Sequence, residues 1–96
     1  MRPTEALRSH RETIRRIVES HRARNARVFG SVSHGGDTEG SDLDILVEPL
    51  PGATLLDLGA MQVELEEALG IPVDVLTPGD LPVKFRAQAL AQAIPV

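Results

Sequence analysis

The 96-residue chain contains no cysteine, tryptophan or tyrosine and only two phenylalanines. Without cysteine there is no disulfide framework, no thiol nucleophile and no zinc–thiolate site, a usage that suits a reducing cytoplasm. With so few rings the chain lacks the stacking surface on which single-stranded nucleic acid is usually held. No apolar run approaches the roughly 20 residues of a membrane helix. The opening MRPTEALRSHRE turns polar too early for a signal peptide. A cytoplasmic protein without a membrane role is therefore expected.

Positive charge is scarce outside the first quarter. Residues 1–27 hold eight Arg against three Glu, whereas the remainder sets Lys84 and Arg86 against eleven acids, for a net charge of −4. An acidic body does not attract polyanions unless metal ions intervene, so direct nucleic-acid binding is not expected. Hydrophobic residues at 42% and charged residues at 25% are the balance of a folded chain. One domain covering 1–96 is expected at this length.

Periodicity then divides the chain. Thr4, with Pro3 ahead of it, is placed to cap a first helix running to about Arg22. Leu7, Ile14, Ile17 and Val18 share its apolar arc, with His10 and His21 inside the same arc and Arg8, Arg11, Arg15 and Arg22 flanking it. That basic stripe is a solvated helix edge or a docking face for an acidic partner. Ala26–Phe29 predicts a strand ending at Gly30-Ser31. After a polar, Gly-rich segment, Leu43, Ile45 and Val47 alternate with Asp42 and Asp44 as a second strand. Thr54 begins a second helix, paired with Asp57 in a capping box. Its expected apolar arc is Leu55, Leu58, Met61, Leu65, Ala68 and Leu69, and Gly70 stops it. Ile71–Leu76 is a third strand, and Asp80 is placed to cap a last helix carrying Leu81, Phe85, Ala89 and Ala93. The order predicts an α+β (α/β) fold, a small mixed β-sheet with helices packed on one face.

The chemistry concentrates in Gly30–Val47, GSVSHGGDTEGSDLDILV. Asp42 and Asp44, two apart on a strand, project from one face. Side-by-side carboxylates flanked by core residues are costly unless a cation neutralises them. Oxygen donors suit Mg²⁺, which takes one or two carboxylates plus substrate phosphates at about 2.0–2.1 Å. Upstream, Gly30 lets backbone approach phosphate oxygens closely, and Ser31 offers an N–H and a hydroxyl. Asp74 lies in an otherwise apolar strand and joins Asp42 and Asp44 if the strands are neighbours. Two Mg²⁺ about 3.5–4 Å apart could then share the cluster, the geometry of in-line phosphoryl displacement. A twelve-residue calcium loop over Asp37–Glu48 is the rival metal reading, but Asp42 stands where that loop requires Gly. A polar strand edge exposed to water is the bland alternative for the aspartates.

Gly30, Ser31, Gly35, Ser41, Asp42, Asp44 and Asp74 together resemble the minimal nucleotidyltransferases of the polymerase-beta-like superfamily. Their pattern is G-S, a further Gly, S-D-x-D with aliphatics, and a third acid on a later strand. The resemblance spans essentially the whole chain. It implies the nucleotidyltransferase fold, with Asp42, Asp44 and Asp74 as catalytic and metal-binding residues, and Gly30, Ser31, His34, Gly35 and Ser41 at the nucleotide. His34 stands where members commonly carry Arg, so a titrating group replaces a permanent cation. The resemblance further implies an antitoxin, cytoplasmic and Mg²⁺-dependent, that transfers AMP from ATP to a tyrosine of a HEPN-type toxin encoded beside it. The alternatives are a binding antitoxin that masks its toxin without transferring anything, and transfer to a small molecule in a pocket supplied by a partner or by a second copy. Homo-oligomerisation is left open.

Overall fold

The computed structural model describes residues 1–30, 36 and 38–96. Its first element, α1 (Pro3–Ser20), buries Pro3, Ala6, Leu7, Ile14, Ile17 and Val18, including every aliphatic residue of the expected arc. The helix begins one residue before Thr4. Proline at the first helical position sacrifices no hydrogen bond and presets φ, so Pro3 enters the helix and Arg2 becomes its N-cap. His10, with φ −130° and ψ 25°, kinks the helix midway.

The chain then reverses through Arg22, at φ 59°, into β1 (Ala23–Phe29). This strand is longer than the sequence pattern indicates because it contains a bulge. Arg24 pairs with Glu48 and Arg27 with Leu46, so three steps on β1 oppose two on its neighbour β2 (Leu43–Pro49). Asn25 sits in the bulge at φ 55°, a conformation that Asn tolerates better than most residues. Its side-chain amide donates to Glu48 Oε1 at 2.8 Å. That hydrogen bond holds the Glu48 carboxyl below its ordinary value. The bulge breaks the inside–outside alternation, which resumes only at Ala26.

After β2, Thr54 caps α2 (Leu55–Leu69). The Thr54 N–H donates to Asp57 Oδ2 at 2.8 Å and the Asp57 N–H donates to Thr54 Oγ1 at 3.4 Å. Gly70, at φ 72°, ends the helix in the left-handed conformation. Met61, Leu65 and Leu69 are its buried residues. At about 100° per residue these three span a stripe only about 80° wide. Leu55 and Ala68 fall on its flanks and are exposed, Leu55 at 85%. Across the α1–α2 seam, His21 Nε2 meets Glu64 Oε2 at 2.5 Å.

Strand β3 (Val73–Leu76) runs parallel to β2. A 3₁₀ turn, Pro78–Asp80, follows, then α3 (Val83–Gln92) and a short β4 (Ile94–Pro95). Asp80 does not cap α3. Its carboxylate accepts from the Thr77 N–H at 2.9 Å and closes the 3₁₀ turn instead. Pro82 is the reason: a residue before proline is pushed out of the helical region, and Leu81 is extended at φ −76° and ψ 137°. β4, which the sequence pattern does not reveal, pairs antiparallel with β1 through Arg27–Pro95 and Val28–Ile94.

The sheet order is β3-β2-β1-β4, mixed, with only the β2–β3 pair parallel. Leu43, Ile45 and Val47 of β2, Val28 of β1 and Val73 of β3 join the buried stripes of α1 and α2 in one core. The expected α+β fold with a small mixed sheet is the one observed. The opposite alternation along β2 and β3 carries the acids. Among the described residues no helix is long and apolar enough to cross a membrane.

Candidate active site

Three of the candidate residues are set by the sheet itself. Asp44 is the second residue of β2 and Asp74 the second of β3, and the parallel register pairs them directly. Neighbouring strands lie about 4.8 Å apart and paired residues point the same way, so the two carboxylates leave the sheet side by side. Asp42 immediately precedes β2 and is exposed, as is Asp74, while Asp44 is half-buried. The Asp44 carboxyl is pushed up to about 6, first by burial and then by the negative charges of Asp74 and Asp42. Asp74 and Asp42 are therefore close enough to act on Asp44 electrostatically.

Gly30 completes the arrangement. It lies one residue beyond Phe29, the cross-strand partner of Asp44, at φ 75°, and a Cβ built there would stand 2.5 Å from Asp44 Oδ2. The left-handed backbone and the lack of a side chain are both required. The strand end thus brings backbone against the Asp44 carboxylate, with no room for a methyl group at position 30.

Ser41 is occupied locally. Its hydroxyl accepts from the Thr38 N–H at 3.0 Å, and its own N–H donates to the Thr38 carbonyl at 3.0 Å. It closes the turn that delivers the chain to Asp42. The nucleotide-binding candidates Ser31, His34 and Gly35 lie outside the described residues.

The donor chemistry fits Mg²⁺ in a particular way. Among the described residues no three His, Asp or Glu side chains form a group able to hold an ion by themselves. Paired aspartates instead match an ion completed by substrate oxygens, since Mg²⁺ usually keeps one or two carboxylates and takes phosphates for the rest.

One feature of the site is not visible in the sequence pattern. Phe29 and Gly30 share a cavity of about 190 Å³ with Phe85, Gln88, Ala89 and Gln92 of α3. The signal available was that Phe29 and Phe85 are the only phenylalanines in the chain.

Gly30 at the end of β1 thus lies beside Asp44 and Asp74, which are in register on a mixed sheet. The family description "nucleotidyltransferase domain" matches residues 7–95, and the chain belongs to that family. It is a nucleotidyltransferase of the minimal type. It is 41% identical over 80 residues to MJ0435 of Methanocaldococcus jannaschii, covering 83% of this chain and 86% of that one; the name of that protein assigns it provisionally as a protein adenylyltransferase. A solved structure described as a minimal nucleotidyltransferase superposes with a TM-score of 0.86 at 42% identity, covering 97% of this chain and 95% of the other. The same fold recurs in a toxin–antitoxin crystallised with AMP-PNP, with a TM-score of 0.74 at 21% identity, over 88% of this chain and 69% of that one.

Proposed function

We propose that the chain, as one domain over residues 1–96, is the antitoxin of a toxin–antitoxin pair and transfers AMP from Mg·ATP to a tyrosine hydroxyl of a HEPN-type toxin. The observation that carries this reading is the register pairing of Asp44 with Asp74, with Gly30 packed against Asp44. The name of MJ0435 supports protein adenylylation. The recurrence of the fold in a toxin–antitoxin crystallised with AMP-PNP supports ATP and a toxin partner. The reaction takes place where ATP and a reducing environment coexist, in the cytoplasm.

Bound Mg²⁺, as one ion or two, would supply neutralisation of the triphosphate and of the charge that develops during displacement. Asp42 and Asp44 would hold it, with Asp74 completing the side nearer the acceptor. Gly30 and Ser31 would bind the terminal phosphates through backbone N–H groups and the Ser31 hydroxyl, with Ser41, His34 and Gly35 lining the same loop. The acceptor oxygen forms a bond to the α-phosphorus while the bond from that phosphorus to the β-phosphate oxygen breaks and pyrophosphate departs. The acceptor's proton passes to Asp74. Position and charge neutralisation, rather than covalent catalysis, make up the protein's contribution.

The test is incubation with ATP labelled at the α-phosphate, Mg²⁺ and the toxin encoded alongside. Label is expected on the toxin, with release of pyrophosphate, and Asp44→Asn should lower the transfer by at least ~100-fold. An unlabelled toxin that is nonetheless bound and inhibited would overturn transfer in favour of masking.

A further inference from the structure

α3 buries none of its residues, so packing against the core does not account for the face it turns toward the sheet. Its first turn is tied instead by Arg86, whose Nη2 donates to the Leu81 carbonyl at 2.9 Å and the Gly79 carbonyl at 3.3 Å. Phe85, Gln88, Ala89 and Gln92 fall three, four and seven residues apart and so share one stripe of the helix. That stripe forms one wall of the cavity whose other wall is Phe29 and Gly30. Both residues of the second wall touch the proposed transfer site. Phe29 is the cross-strand partner of Asp44, and Gly30 is packed against the Asp44 carboxylate. A ligand with its phosphates at Gly30 therefore has this cavity as its neighbour.

The chemistry of the lining is specific. Phe85 is 54% exposed, a costly position for one of only two aromatic residues unless something flat covers it. Lys84 Nζ lies 5.6 Å from the centroid of the ring, which makes the ring one side of a stack closed by a cation. The carboxamides of Gln88 and Gln92 each present a donor and an acceptor. A ring for stacking and two glutamines in one lining suit a planar heterocycle that carries hydrogen-bonding edges. Among the bases, adenine offers adjacent donor and acceptor groups (N6 and N7) that a glutamine amide matches with two hydrogen bonds.

We propose that the cavity between β1 and α3 is the nucleobase subsite, in which Phe85 stacks on adenine and Gln88 and Gln92 select it over guanine. This rests on the reading that the aspartates bind Mg·ATP, and the test separates the two. In the presence of Mg²⁺, calorimetry would compare ATP, GTP and inorganic tripolyphosphate on the wild-type chain and on variants. Phe85→Ala should weaken both nucleotides roughly tenfold, the effect of losing one base stack, while tripolyphosphate binding stays within about twofold of the wild type. Phe85→Trp should restore nucleotide binding, a rescue that a merely structural role would not give. Gln88→Ala combined with Gln92→Ala should bring the ATP-to-GTP preference close to one. Unchanged ATP affinity in these variants would overturn the base subsite and leave the transfer site standing, as would a parallel loss of tripolyphosphate. A wild-type chain that binds neither ATP nor tripolyphosphate would overturn both.

Discussion

Asp44 carries two burdens that oppose each other until a cation arrives. Burial and the charges of Asp74 and Asp42 raise its carboxyl to about 6, so without metal the ionised form is held at a cost. The folded chain keeps this proton where the unfolded chain, with the ordinary value of 3.8, has already lost it. Stability from this group is therefore fully present below about pH 4 and declines as pH rises through about 6. In chelator-treated protein, Asp44→Asn should remove this decline. It should stabilise the fold at pH 8 by on the order of 1 kcal/mol, an amount reduced by the half-exposure of the group, while changing little at pH 4. Paired urea melts at the two pH values check it, and an equal effect at both would contradict the assigned cause. The same residue shows how legible the site was. The spacing of Asp42 and Asp44 predicted both carboxylates on one face of a strand, but the contact with Gly30 depends on how β1 ends relative to β2. No local pattern encodes that register.

At the level of elements, those with their own punctuation were readable. Thr54, Asp57 and Gly70 announce both ends of α2, and the box they predict forms. Thr54→Ala should cost about 1 kcal/mol, since an N-cap oxygen is lost from an exposed helix start. A chemical-denaturation midpoint shifted down at unchanged slope is the expected result, and no shift would show that Asp57 alone suffices. Asp80, expected to cap the last helix, closes a 3₁₀ turn with Thr77 instead, because Pro82 two residues on forbids the continuation that Thr54's helix enjoys. β4 was invisible because two residues have no period. It exists because β1 offers an open edge, and because Arg11 and Arg15 donate to the carbonyls of Pro95 and Val96 at 3.4 and 3.0 Å. Two members of the basic stripe thus serve the chain's own end.

For the whole molecule, the proposed site lies on the sheet and relies on its ligand to complete it. Mg²⁺ alone should raise the melting temperature little, since no three acids among the described residues form a cage for it. Mg·ATP at about 100 times its Kd should add about 2.7 kcal/mol of stability by mass action. Thermal melts with each addition separately test this, and strong stabilisation by Mg²⁺ alone would reveal a structural metal site. Fold class was legible because local propensity, capping and alternation agree over most of the chain. The cavity at α3 was not, because it is made by elements more than fifty residues apart in sequence, Phe29 and Phe85.

A Cβ at position 30 would stand 2.5 Å from Asp44 Oδ2, which also ties the histories of the two positions together. While Asp44 is present, any side chain at 30 meets its carboxylate. Once Asp44 is lost to a smaller residue, that barrier falls and only the strain of a left-handed backbone remains, about 1–2 kcal/mol. Descendants of this chain that abandon transfer and survive as binding proteins are then expected to shed the acid first and the glycine afterwards. The reverse order passes through a clash.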